Sequence, residues 1–264
     1  MSRIEKKFRS LKEAGETALV GFVTAGDPDP EKSLEVITAM CQSGLDVLEL
    51  GIPFSDPTAD GPVIQRSSSR ALAAGMTLPK VLEITGKVRE TTDIPIILFS
   101  YYNPIYAYGP ERFCNDAVNA GADGVLIVDL PPEESDELTQ FFKDDFSIIR
   151  LIAPTTPNSR MKKIAESATG FLYLVSKTGV TGSDGLDTVE IESISKELCS
   201  LSSIPVCIGF GISTNEDVAN ISKYSDGVVI GSAFERTIER CIDDDNLVSV
   251  ISKQVSEYKK ATKY

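Results

Sequence analysis

The run Val47-Leu48-Glu49-Leu50-Gly51, the turn Ile52-Pro53-Phe54-Ser55-Asp56-Pro57-Thr58-Ala59-Asp60-Gly61 and the helix-like stretch that opens at Pro62 decide the fold. Apolar residues follow one another here with little alternation, which marks a strand covered on both faces. Proline and glycine then break the strand, and Pro62 suits the first position of a helix. The same order recurs along the chain. Strands are expected at Leu19–Thr24, Val47–Gly51, Ile94–Phe99, Gly124–Asp129, Ser147–Ile152, Phe171–Ser176, Val206–Phe210 and Gly227–Gly231. Helices are expected at Pro30–Cys41, Pro62–Ala73, Leu78–Glu90, Pro110–Ala120, Glu133–Phe142, Asn158–Glu166, Val189–Leu201, Asn215–Ser222 and Val248–Lys259.

Parallel strands need crossover helices, so eight β-then-α units predict an α/β fold, a (β/α)8 TIM barrel. The charged, helix-periodic opening MSRIEKKFRSLKEAG adds an extra N-terminal helix. No linker or low-complexity tract divides the chain, so one domain is expected over residues 1–264. A doubly wound open sheet is the competing architecture, because the closure of a sheet leaves no mark in the sequence.

Composition narrows the function. The net charge is −13, which disfavours nucleic acid and anionic membrane surfaces as partners. Five scattered cysteines with no C-x-x-C pair fit buried thiols in a reducing cytoplasm, with neither disulfide framework nor zinc site. No signal-like or membrane-length apolar run is present, and the expected location is cytoplasmic. The chain has no histidine, which leaves carboxylates as the natural acid–base groups and makes a metal site unexpected.

Active sites of such barrels form at the C-terminal ends of the strands. Glu49 sits in an apolar strand near that end. Burying a carboxylate is costly, so Glu49 is either a catalytic group or a structural glutamate bonded to neighbouring backbone. Asp60, before Gly61-Pro62, either caps the next helix or faces a bound molecule from the side opposite Glu49. A paired acid and base is what cleavage of a carbon–carbon bond requires. At the other end of the chain, Gly209-Phe210-Gly211 and Gly231-Ser232 end the seventh and eighth strands. Glycines and a helix N-terminus let backbone amides approach an anion, so these turns are either a phosphate cradle or simple tight turns. Such a cradle would bind an anion to an acidic protein without a lysine cluster. Lys177 to Gly185, with three glycines, is either a mobile lid or a solvated loop.

The string Leu48-Glu49-Leu50-Gly51-Ile52-Pro53-Phe54-Ser55-Asp56-Pro57-x-Ala59-Asp60-Gly61-Pro62 resembles the signature of tryptophan synthase α chains. So do Gly21-Phe22-Val23-Thr24-Ala25-Gly26-Asp27, Tyr101-Tyr102-Asn103-Pro104, Gly179-Val180-Thr181-Gly182, Gly209-Phe210-Gly211-Ile212 and Gly231-Ser232-Ala233, in order from about residue 20 to 235. The resemblance implies retro-aldol cleavage of indole-3-glycerol phosphate to indole and glyceraldehyde 3-phosphate. It makes Glu49 the proton shuttle between indole C3 and the glycerol hydroxyl, and puts Asp60 against the indole N–H. It sets Tyr173 beside the glycerol. Phe22, Ile64, Phe99, Leu126 and Phe210 would form the indole slot. Gly182, Gly211, Gly231 and Ser232 would bind phosphate. Lys177, Gly179 and Thr181 would form the lid, with Lys177 where the family more often carries arginine.

The resemblance further implies an α2β2 complex in which indole passes to a β subunit. That subunit carries pyridoxal phosphate; this chain needs no cofactor. Pro53, Asp56, Asn103, Asp129 and Pro131 would face the partner. Two other readings remain at this stage. One is a different phosphate-binding barrel of the tryptophan pathway, although the indole-glycerol-phosphate synthase type needs an inner-strand lysine that the expected strands lack. The other is a non-catalytic subunit that only activates a β partner.

Overall fold

The computed structural model describes residues 1–143, 145–175, 188–209 and 211–263. Every residue of β1 (Ala18–Thr24) and of β2 (Val47–Gly51) is buried. The series continues with β3 (Ile96–Ser100), β4 (Gly124–Ile127), β5 (Ser147–Ile152), β6 (Leu172–Val175), β7 (Val206–Gly209) and β8 (Gly227–Ile230). Each strand pairs in parallel with the next, and β8 returns to β1 through Ala18↔Gly227 and Gly21↔Ile230. The sheet is a closed eight-stranded barrel, as the sequence predicts, and not the open doubly wound alternative.

Helices alternate with the strands. They are α1 (Arg3–Ala14), α2 (Pro30–Gln42), α3 (Pro62–Ala73), α4 (Leu78–Arg89), α5 (Tyr102–Tyr108), α6 (Pro110–Asn119) and α7 (Asp136–Thr139). The rest are α8 (Asn158–Ser167), α9 (Thr188–Leu201), α10 (Asn215–Ile221), α11 (Ser232–Arg240) and α12 (Leu247–Ala261). Outward strand residues such as Leu19, Leu48 and Leu98 pack with this helical layer, while Val20, Ile97, Leu126 and Ile149 fill the interior. Helix α1 opens with a Ser2–Glu5 capping box, and its buried Ile4, Phe8 and Leu11 join the interior cluster. Phe8 lies 5.8 Å from Phe171, so α1 plugs the barrel where the strands begin.

One device recurs at the plugged end. Asp46, Asp123, Thr169 and Asp226 stand just before β2, β4, β6 and β8. Their side chains accept the amides of Leu19, Ile96, Ile148 and Val206, near the starts of the odd-numbered strands, at 2.8–2.9 Å. Each bond ties an odd strand to the start of the following even one, so register is held by side chains as well as by the ladder.

Several boundaries differ from expectation. Strand β3 begins two residues later than expected, because Pro95 lacks an amide; its carbonyl still accepts Leu48 N–H at 2.9 Å. Strand β4 stops at Ile127, and Asp129 turns out to accept the amide of Tyr102 at 2.7 Å. That bond caps α5, a helix the sequence reading lacked. Pro104 sits in its first turn, where a missing amide costs nothing. The expected helix Glu133–Phe142 shrinks to a 3-10 turn at Pro132–Glu134 and the short α7. Phe141 and Phe142 then bond back only three residues, closing the helix early. The expected last residues of strands six and seven, Ser176 and Phe210, lie outside the described residues.

Candidate active site

Strand β2 carries Glu49 into the barrel mouth, where its register neighbours are Phe22 on β1 and Ile97 on β3. Glu49 is 1% exposed, and neither carboxyl oxygen has a hydrogen-bond partner among the described residues. The structural alternative required backbone bonds to this side chain; the described residues provide none. Burial pushes the Glu49 carboxyl up to about 8. At neutral pH it is an acid with a proton to give.

Asp60 follows on the loop after β2. Helix α3 takes Gly61 as its N-cap and has no side-chain cap bond, so the Asp60 carboxylate is not the helix cap. Burial raises Asp60 to about 6, and a hydrogen bond from the Tyr101 hydroxyl opposes the rise. The same hydroxyl accepts the Ala59 amide at 2.9 Å, and the Tyr101 ring packs 5.4 Å from Phe54. Tyr101 therefore holds both the loop and its acid. Among the strands, β6 supplies Tyr173, 5% exposed, whose phenol is pushed well above its ordinary value by burial and then by Glu49. It stays protonated.

Glu49, Asp60 and Tyr173 line one cleft enclosing about 620 Å³ of open space. Phe22, Phe99 and Ile64 form an apolar wall beside the carboxyls, with the two phenyl rings edge to face at 5.1 Å. Gly51 has no side chain to obstruct this wall, since a Cβ there would sit 2.7 Å from the Phe22 ring. At the far side lie Gly211, Gly231 and Ser232. Gly211 adopts φ 77°, a conformation that favours glycine. Helix α11 has Gly231 as its N-cap and no side-chain cap bond, so among the described residues its first amides have no side-chain partner.

The arrangement does not gather every expected residue. Leu126 is fully buried in the interior layer beneath the cleft and is no part of its wall; its register neighbours are Phe99 and Ile149. Pro53 is buried, whereas Asp56, Asn103 and Asp129 are exposed and Pro131 is partly so. Lys177, Gly179, Thr181, Gly182 and Phe210 lie outside the described residues. Sequence reasoning missed Gly61, Val63, Ile212 and Val229, which also line the cleft. Val63 and Ile212 adjoin residues already singled out, so proximity in sequence was the available signal; Val229 reaches the cleft only through barrel closure. It also missed the role of Tyr101, which nothing local announces.

A closed parallel barrel that gathers two desolvated carboxyls in one cleft has the architecture of a barrel enzyme equipped for acid–base chemistry. A family model described as "Tryptophan synthase alpha chain" matches residues 8–263. The chain is 60% identical over its full length to the tryptophan synthase alpha chain of Desulfatibacillum aliphaticivorans, covering 100% of each. It is 59% identical, again over 100% of each, to that of Desulfosudis oleivorans. A crystal structure of tryptophan synthase subunit alpha from Legionella pneumophila superposes with a TM-score of 0.91 at 38% identity, covering 99% of this chain and 98% of that one. The chain belongs to the tryptophan synthase alpha chain family, aldolase-type lyases that cleave indole-3-glycerol phosphate.

Proposed function

We propose that Glu49, Asp60 and Tyr173 carry out the family's cleavage in this chain, with Gly211, Gly231 and Ser232 holding the substrate phosphate. The observation that supports this most is the presence, in one cleft, of an unpartnered buried carboxyl and a second acid, with Gly211, Gly231 and Ser232 opposite. Glu49 as an acid protonates indole C3, which turns the ring into an electron sink. The Asp60 carboxylate, facing the ring N–H, stabilises the positive charge that develops. The Glu49 carboxylate then takes the proton of the glycerol hydroxyl, the carbon–carbon bond breaks, and its electron pair returns to the ring. Glyceraldehyde 3-phosphate and indole leave with Glu49 again protonated. Each positioned transfer contributes about 10²–10⁴ in rate. The Tyr173 phenol, kept neutral, hydrogen-bonds the glycerol, and Phe22, Phe99 and Ile64 sandwich the ring. Lys177, Gly179, Thr181 and Gly182 complete the lid and phosphate end in this reading, and Phe210 the slot.

The proton transfers need no cofactor in this chain. We assign pyridoxal phosphate to a β subunit that receives the indole, in an α2β2 assembly in the cytoplasm. Asp56, Asn103, Asp129 and Pro131 face that partner, with buried Pro53 supporting the loop from beneath. Asn103 and Asp129 share an open groove with Tyr102 and Tyr106, which gives the docking reading a continuous surface. The purified chain, incubated with indole-3-glycerol phosphate, is expected to release triose phosphate. Stimulation of a β chain with no cleavage, alone or in complex, would sink the catalytic reading in favour of a regulatory subunit.

A further inference from the structure

Glu235 is a second fully buried carboxyl, and the cleavage chemistry does not use it. It lies one turn into α11, four residues after Gly231, and its own amide bonds the Gly231 carbonyl at 3.1 Å. Its Oε1 accepts the amide of Thr24, at the end of β1, at 2.6 Å. Its Oε2 accepts no donor among the described residues, and the polar neighbour facing the carboxyl is that of Asp27. Asp27 is already committed, because Arg70 donates to both its oxygens at 2.7 and 2.8 Å. Arg70 gives a third bond to Glu239 at 2.9 Å, and Arg66 gives Glu239 two more. On α12 the titratable Tyr258 donates to the Ser213 carbonyl. Among the described residues these bonds leave Glu235 without an ion pair, and Arg70, bound to Asp27, acts on it only through space. Two neighbouring carboxyls with one cation between them share a proton, and it rests on the member without the cation.

We propose that Glu235 is a positioning residue for phosphate binding: held as a neutral acid between Thr24 and Asp27, it locks the first turn of α11 to β1 and leaves the positive end of that helix undiminished for the anion. The inference rests on the reading that Gly231 and Ser232 hold the phosphate. A carboxylate one turn from a helix N-terminus would offset the roughly +0.5 charge that the helix dipole places there. A protonated carboxyl keeps the bond from the Thr24 amide and offsets nothing. The clamp reaches further, since the Thr24 hydroxyl bonds Ser67 on α3 at 2.7 Å, behind the Asp60 loop. In a chain of net charge −13 a neutral acid at this point matters more than it would in a basic protein.

Infrared spectra of the full chain at neutral pH read the proton directly. The wild-type spectrum minus that of Glu235→Gln should contain the carbonyl stretch of a carboxylic acid; carboxylate bands alone in that difference would overturn the proposal. In steady-state cleavage, Glu235→Gln keeps KM within about twofold, while Glu235→Ala raises KM about tenfold with kcat little changed. A Glu235→Gln enzyme with a tenfold raised KM, or a Glu235→Ala enzyme with wild-type KM, overturns it too. Should Glu235→Ala not fold, the spectrum and the glutamine variant decide alone. Binding of sn-glycerol 3-phosphate to Ser232→Asp separates the two readings. Undiminished binding there removes the phosphate cradle and the proposal together; lost binding there with unaltered KM in Glu235→Ala removes the proposal alone.

Discussion

Gly209 on β7 leaves to Tyr173 on β6 the space its own side chain would fill. A Cβ at position 209 would overlap the Tyr173 hydroxyl and stand 2.6 Å from Cζ and 3.0 Å from Cε1. Both residues belong to adjacent inward-facing rows, with Tyr173 opposite Cys207 and Val175 opposite Gly209. Read in sequence, the glycines ending strand seven point to phosphate. In the fold, the first of them serves the tyrosine. Gly209→Ala is therefore expected to displace the phenol and lower kcat by about 10²-fold, the cost typical of a misplacement near 1 Å, with the fold retained. Circular dichroism and cleavage kinetics check both halves, and a wild-type kcat would disprove the relationship.

Glu49→Gln is expected to lose about 10²–10⁴ in kcat, because an amide cannot exchange the proton. Its stability profile should change as well. Folded Glu49 keeps its proton to about 8, whereas its ordinary value is 4.5, so between those values the native state binds more protons than the unfolded chain. Stability then falls as pH rises through that window, by at most about 1.4 kcal/mol per unit from this residue. Denaturant melts at several pH values should show a flatter slope in Glu49→Gln; parallel slopes would deny the shift.

The plot of kcat/KM against pH should be bell-shaped. It falls on the acid side as Asp60, near 6, takes up a proton, and on the alkaline side as Glu49, near 8, loses one. Tyr101→Phe removes the hydrogen bond that lowers Asp60, so the acid limb moves to higher pH while the alkaline limb stays. Coincident acid limbs in the two enzymes would remove Tyr101 from the site.

Asp123 is 6% exposed and accepts from Arg89 at 2.7 Å, Arg3 at 3.0 Å and the Ile96 amide at 2.9 Å. Asp123→Ala leaves the Arg89 guanidinium with carbonyl partners but no counter-charge, and is expected to destabilise the barrel by about 3–5 kcal/mol, far from the cleft. Chemical denaturation measures the loss, and a change under about 1 kcal/mol would contradict it.

Much of this could be read along the chain. Seven of the expected strand starts lie within one residue of the observed ones, since continuous apolar runs and flanking prolines are local facts. Helix α5 was invisible because its cap, Asp129, arrives from the turn after β4. Leu126 looked like a wall of the indole slot, yet its depth in the barrel depends on the stagger between neighbouring strands. Pro53 was expected to face the partner but is buried, and membership of a loop says little about burial.

Alone, the sequence determined the order of strands and helices and the absence of imidazole chemistry. These follow from composition and from patterns between near neighbours. Tertiary structure alone decided that β8 meets β1, that Glu49 has no bonding partner among the described residues, and that Glu235 faces Asp27. Those outcomes depend on desolvation and on contacts between residues far apart in the chain, and no local pattern encodes the distance between them.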